Sequence, residues 1–103
     1  MRLMIATDGK SPMSQHSVWT LLDRLKPTFL IVRNQPGVDM IAYRWASAHN
    51  VPNVRAPLSA LPNNLMDQKP DAILNFGWGR DKTLQAFIPL AKRAQIAVIP
   101  VTY

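Results

Sequence analysis

The residues best suited to bind an anion lie in one glycine-rich loop, at 77–83, after the fourth predicted strand. Glycines there let backbone N–H groups approach a phosphate at the start of a helix, and the loop also carries an arginine, a lysine and a threonine as donors. Trp78 stands between the two glycines, where it could stack on a base or a ribose. The spacing matches neither a Walker A loop nor Gly-x-Gly-x-x-Gly, and a glycine turn with a helix cap explains the loop equally well. Its predicted ligand contacts are Gly77, Trp78, Gly79, Arg80, Lys82 and Thr83.

Two more loops place polar groups at the ends of predicted strands. The loop after the first strand occupies the turn where doubly wound proteins most often meet a ligand. The loop after the second strand leads into a helix with Asp39 in its first turn, where the helix dipole alone favours a carboxylate by about 0.3–1 kcal/mol. The predicted ligand contacts in these two loops are Asp8, Gly9, Lys10, Arg33, Asn34, Gly37 and Asp39.

The titratable residues argue against most catalytic mechanisms. The chain has no cysteine and its six acidic residues are all aspartates, so thiolate zinc sites, cysteine nucleophiles and mechanisms that need a glutamate are excluded. His16 and His49 lie on different predicted helices and fit neither a Ser-His-Asp order nor a metal-binding spacing. We therefore predict no catalytic residue and no metal site, and the sequence identifies no cofactor.

Composition predicts one globular domain over residues 1–103. The chain is 48% hydrophobic and 17% charged, which suits a packed core rather than a disordered segment. No apolar run approaches the ~20 residues of a membrane span, so we expect a cytoplasmic protein without membrane contact. Twelve Lys and Arg against six Asp give a net charge of +6, which favours an anionic partner.

Hydrophobic patterning predicts alternating strands and helices. Ser11 and Pro12 are a start signal for the first helix, Lys26 and Pro27 end it, and Asn50 is the expected C-cap of the second. A further helix is expected from Asp81, with a kink or break near Ile88 caused by Pro89. Strands are expected at 2–7, 28–32, 53–56, 71–76 and 97–101, with a helical turn near 63–67.

This alternation predicts an α/β fold: a single Rossmann-like domain with a mostly parallel sheet of about five strands and helices on both faces. Pro100 is expected to place the last strand at an edge of the sheet, because proline has no backbone N–H to donate to a neighbouring strand. Ligands bind such folds beyond the carboxyl ends of the strands. The loops named above are therefore expected to meet at one edge.

Three stretches resemble the SLOG superfamily of small bacterial and phage proteins: 36–39 with Trp45-Ala46, 21–25, and 76–80 with Thr83. The similarity spans nearly the whole chain. It implies a Rossmann-like domain that binds nucleotides or nucleotide-derived molecules. That superfamily includes the Lonely Guy phosphoribohydrolases and the DNA-processing protein A group, which binds single-stranded DNA.

The chain departs from the pattern of that superfamily at the site itself. Where related proteins carry His-Gly-Gly-x-x-Gly-x-Asp after the second strand, only Gly37 and Asp39 correspond here. The phosphoribohydrolases need a glutamate shortly after the glycine-rich loop, and Ala86 stands at that place. The resemblance therefore implies ligand binding without this hydrolysis.

The leading hypothesis is a binder of a small nucleotide or nucleotide-derived, phosphate-bearing ligand, without catalysis. Two alternatives stay open: a weak nucleotide hydrolase that uses a loop aspartate, and a module for single-stranded nucleic acid or protein interaction. Aromatic residues on the helices also suggest a homodimer. The residues expected at that dimer interface are Trp19, Tyr43 and Trp45, and the cations expected at the ligand edge are Lys10, Arg33, Arg55, Arg80 and Lys82.

Overall fold

The computed structural model describes residues 1–7, 13–57, 67–76 and 87–101, and these form an α/β domain of the Rossmann-like kind. All pairings in its five-stranded sheet are parallel, in the order β3-β2-β1-β4-β5. The predicted fold class is confirmed. The strands are β1 (Arg2–Ala6), β2 (Phe29–Arg33), β3 (Asn53–Ala56), β4 (Ala72–Asn75) and β5 (Ala97–Pro100), and the described helices are α1 (Gln15–Leu25), α2 (Val38–Ala48) and α3 (Phe87–Arg93).

We call the two ends of the sheet the carboxyl edge and the amino edge, after the strand ends that form them. The chain changes its winding direction between β1 and β4, where Ala6 pairs with Asn75 at the carboxyl edge. The predicted loops after these two strands, at 8–12 and 77–86, lie outside the described residues. β5 is a border strand that ends at Pro100, which confirms its predicted position.

Helices cover both faces of the sheet. Successive side chains of a strand point to opposite faces, so both faces present apolar side chains that a helix can bury. One face packs against α1 and α2 and holds the larger apolar cluster, with Trp45 only 3% exposed. The other face packs against α3 through Ala91. Complete burial of one leucine or isoleucine contributes about 1.5–3 kcal/mol, so these layers stabilise the packing of the helices on the sheet. Fully or almost fully buried strand residues include Leu3, Met4, Ile5, Leu30, Ile31, Val32, Ile73 and Leu74.

Helix α1 begins later than the sequence indicates. The predicted cap at Ser11 is wrong: the helix starts at Gln15, and Ser14 is the N-cap, whose Oγ accepts a 3.2 Å hydrogen bond from the Ser17 N–H. A serine followed by proline resembles a helix start locally, but a second serine three residues on provides the cap. The end is as predicted, since Lys26 adopts a left-handed conformation with φ 49°.

Helices α2 and α3 end in the same backbone motif. Asn50 and Gln95 follow the helices with φ near 55°, and each is followed by an N–H that donates five residues back. These are Schellman motifs, which satisfy carbonyls at the helix end. The predicted C-cap of α2 at Asn50 is wrong by one residue, because His49 is the C-cap and Asn50 is the left-handed residue that follows it. The described part of α3 begins at Phe87, directly after residues that lie outside the description, so the predicted start at Asp81 and the predicted break near Ile88 stay predictions. None of the described helices has the length and apolar character of a membrane span.

Candidate functional site

The described part of the site lies at the carboxyl edge, where β2 leads through residues 34–37 into α2. Gly37 begins α2 as its N-cap, with φ 89° and ψ −139°. Residues with a Cβ avoid this backbone conformation, so a glycine is needed for the chain to turn into the helix here. No side chain caps the helix at this position, and the first N–H groups of α2 have no acceptor within the helix.

Asp39 holds this loop from behind. Its carboxylate has no exposed surface. Oδ1 accepts the Arg33 backbone N–H at 3.0 Å, and Oδ2 accepts Nε2 of Gln35 at 2.6 Å. The same Nε2 donates to the Thr7 carbonyl at 3.0 Å. One buried carboxylate thus ties together the ends of β1 and β2 and the start of α2, and Asp39 positions the loop rather than reaching a ligand.

Burial raises the pKa of Asp39 from 3.8 to about 6. Loss of water around the carboxylate disfavours its charged form, and this outweighs three effects that favour it: the Arg33 N–H, the Gln35 amide and the positive charge of Arg33. Arg33 itself is only 7% exposed. The loop is therefore held by a group that changes charge in mildly acidic solution.

Asn34 is oriented by a contact from the neighbouring strand. Nη2 of Arg55, in β3, donates to Oδ1 of Asn34 at 2.6 Å, and the Arg55 guanidinium lies 4.5 Å from the centre of the Tyr43 ring. Because a guanidinium can only donate, this contact decides which end of the Asn34 amide faces Arg55. The Nδ2 group, with its two hydrogens, is left as the donor that Asn34 can offer a ligand.

An open cavity of about 380 Å³ adjoins this loop. Residues of α2 that recur at three- and four-residue spacing form one wall, while the opposite stripe of the helix packs into the core. Arg44 brings an exposed positive charge to the cavity. Besides Gln35, its lining is Asn34, Pro36, Gly37, Met40, Ile41 and Arg44.

The described structure brings only part of the predicted site together. Asn34 and Gly37 line the cavity, whereas Arg33 and Asp39 lie buried behind the loop. Arg55 reaches the same edge, as expected for this cation. The other predicted contacts lie outside the described residues: Asp8, Gly9, Lys10, Gly77, Trp78, Gly79, Arg80, Lys82 and Thr83.

Two residues of this region went unnoticed in the sequence. Gln35 donates both to Asp39 and to the Thr7 carbonyl at the end of β1. Thr7 is 28 residues away in the sequence, so no local pattern could predict this contact. Arg44 had a detectable signal, because it lies seven residues after Gly37 on the stripe that also carries Met40 and Ile41.

The aromatic residues of α1 and α2 are used inside the domain. Nε1 of Trp45 donates to Oδ1 of Asp23 at 2.9 Å, and the His49 ring stacks on Trp45 with centroids 4.6 Å apart. Nε2 of His49 lies 3.6 Å from the same Asp23 oxygen. Trp19 donates from Nε1 to the Ile41 carbonyl at 3.2 Å. These contacts join the two helices, and the burial of Trp45 leaves it little surface for a dimer interface.

The chain matches no protein-family model, no curated protein and no solved structure. What the site binds must therefore be inferred from its own geometry and charge. Within residues 1–7, 13–57, 67–76 and 87–101, no three His, Cys, Asp or Glu side chains come together in a group that could hold a metal ion.

Proposed function

We propose that the protein binds a small phosphate-bearing ligand of the nucleotide class at the carboxyl edge, without catalysis. The observation that carries this proposal is the fixed orientation of Asn34. Arg55 donates to its carbonyl oxygen, and the two Nδ2 hydrogens remain as donors for the cavity that Asn34 lines. A ligand rich in acceptor oxygens fits that arrangement.

The charges around the cavity support an anion. Arg44 and Arg55 lie at or beside it, and the first turn of α2 adds N–H groups and the positive end of the helix dipole. The nearest described carboxylate, Asp39, is fully buried and engaged through both oxygens. A phosphate would therefore meet donors without facing an exposed acid in the described lining.

The apolar part of the cavity supports a ligand larger than phosphate. Met40 and Ile41 are half-buried and provide carbon surface beside the donors. The volume of about 380 Å³ lies within the roughly 300–1,000 Å³ of small-molecule sites. In dinucleotide-binding folds, an arginine near the sugar accommodates a phosphate where a carboxylate would bind a free hydroxyl. The arginines of this edge thus favour a phosphorylated sugar.

The competing functions receive less support from the described residues. A hydrolase would need an accessible loop aspartate. Asp39 is not accessible, and the other two loop aspartates, Asp8 and Asp81, lie outside the described residues. A nucleic-acid module needs a continuous basic track, but exposed cations lie at both ends of the strands, with Arg44 and Arg55 at one edge and Lys69 and Arg93 at the other. Weak, salt-sensitive binding of single-stranded DNA is the most that we expect, and a homodimer would have to use surfaces other than the buried Trp45.

The proposal can be tested by titrating the protein with adenosine 5′-monophosphate and following backbone amides by NMR. Saturable shifts are expected at residues 34–44. Arg44→Gln should weaken binding about tenfold, the equivalent of one charge-assisted contact. Arg24→Gln, an exposed arginine on α1, is the matched control and should leave affinity unchanged. Unperturbed amides at 34–44 with a panel of nucleoside monophosphates would sink the proposal.

The glycine-rich loop enters the proposal as a sequence prediction, because 77–83 lies outside the described residues. Arg80→Ala should reduce affinity for the same nucleotide about tenfold or more without unfolding the domain. The protein should not convert nucleoside monophosphates to free base. Sustained release of base that a site substitution abolishes would show the hydrolase alternative to be correct.

A further inference from the structure

A second concave surface lies at the amino edge, at the opposite end of the strands from the candidate site. It is an open cavity of about 530 Å³ between the segment before β4 and the end of α3. Strands of four or five residues hold the two edges roughly 15 Å apart, so a small ligand in one cavity does not reach the other. Its lining includes Lys69, Pro70, Asp71, Leu90, Arg93 and Ile96.

The floor of this cavity is apolar. Pro70 is buried, and Leu90 and Ile96 are half-buried. The backbone around them makes its own hydrogen bonds, since the Ile96 N–H donates to the Ala91 carbonyl at 2.9 Å and the Ala94 N–H donates to the Leu90 carbonyl at 3.1 Å. An apolar group could therefore cover this floor without leaving these N–H groups unsatisfied.

The rim of the cavity is positively charged. Lys69 and Arg93 are exposed, and in the described part of the chain their side chains take part in no ion pair or hydrogen bond. Asp71 is the one acid in the lining, and its Oδ2 already accepts the Arg2 backbone N–H at 2.7 Å. The Arg2 guanidinium donates to the Gln68 carbonyl at 2.9 and 2.6 Å. The lining therefore carries two positive charges and one negative charge, and the negative one already accepts a backbone hydrogen bond.

We propose that this amino-edge cavity binds a small amphipathic carboxylate, with its alkyl body on Leu90 and Ile96 and its carboxylate between Lys69 and Arg93. The floor needs carbon surface, and the two cations need a compact anion at its border. A cavity of about 530 Å³ is within the size range of small-molecule sites. This site is independent of nucleotide binding at the carboxyl edge.

The test uses octanoate as the probe and octylammonium as a matched compound with the same alkyl chain and the opposite charge. NMR titration should show saturable octanoate shifts at amides 69–71 and 90–96, with a dissociation constant of about 1 mM, reasonable for such a small ligand. Octylammonium should leave these amides unchanged.

Variants then assign the charge. Arg93→Gln should weaken octanoate about tenfold. Lys92→Gln removes an exposed neighbouring cation that does not line the cavity, and should bind as the parent does. The proposal is overturned if octylammonium shifts the same amides equally, if the octanoate shifts map elsewhere, if Arg93→Gln binds like the parent, or if only an acidic peptide occupies the surface.

Discussion

The two edges of the sheet are built by different means. At the carboxyl edge, a buried side chain fixes the loop: Asp39 accepts from Arg33 and Gln35. At the amino edge, the ends of α2 and α3 are closed by backbone hydrogen bonds, and the charged side chains lie outside. We expect a loop that is held by one buried ionisable side chain to be sensitive to pH and to single substitutions. Helix ends that are closed by backbone hydrogen bonds should be less sensitive to both.

The largest expected difference between the edges is in pH dependence. Since the folded pKa of Asp39 is raised from 3.8 to about 6, the folded protein holds this proton more tightly than the unfolded chain. Its contribution to stability is thus fully present below pH 3.8 and is lost as pH rises through 6. The loss is about 3 kcal/mol at 1.36 kcal/mol per pKa unit. Asp39→Asn should remove this component from urea-unfolding free energies measured between pH 4 and 7.

The matched control for that measurement lies at the other edge. Asp71→Asn makes the same chemical change at an exposed carboxylate whose Oδ2 accepts a backbone N–H. This variant should keep the component of pH dependence that belongs to Asp39. Parallel stability profiles for the parent and Asp39→Asn would mean that burial does not perturb Asp39, and the contrast between the edges would disappear.

A second expected difference concerns asparagines. Asn34→Asp keeps an acceptor for Arg55 but replaces the two Nδ2 hydrogens with an anionic oxygen at the cavity. Affinity for adenosine 5′-monophosphate, measured calorimetrically, should fall about tenfold or more. Asn53→Asp, at the start of β3, alters an asparagine that donates to the Val51 carbonyl and should leave affinity unchanged. Equal losses in both variants would indicate a general charge effect instead of a site at Asn34.

The smallest expected effect comes from the backbone caps. Gln95 holds φ 57° after α3, so Gln95→Gly should stabilise the fold by about 0.5–1 kcal/mol through relief of the left-handed conformation. Asn50→Gly should gain less, because asparagine tolerates that conformation better than glutamine does. Thermal unfolding of both variants gives the comparison. A destabilised Gln95→Gly protein would show that the Gln95 side chain contributes more than its backbone conformation costs.

Local sequence determined the elements. Short apolar runs fixed the five strands to within one or two residues, Lys26 with Pro27 ended α1, and Pro100 marked β5 as a border strand. These features follow from dihedral preferences and hydrophobic period, which act between near neighbours in the chain. The predicted start of α1 was wrong for the same reason, since Ser11 with Pro12 has the local pattern of a helix start, whereas the helix begins after Ser14.

Tertiary structure alone decided the properties of the site. The order of strands brings β3 beside β2, and only this pairing places Arg55 against Asn34 across 21 residues. From the sequence, Asp39 is predicted only to interact with the helix dipole in the first turn of α2. In the structure, residues distant in sequence bury its carboxylate, and this burial raises its pKa. The burial and the charge state of a side chain depend on the atoms around it, and these come from segments that are distant in the sequence. Sequence therefore specified which donors and acids exist, and the packing of β1, β2 and α2 determined which of them line the cavity and which hold the loop.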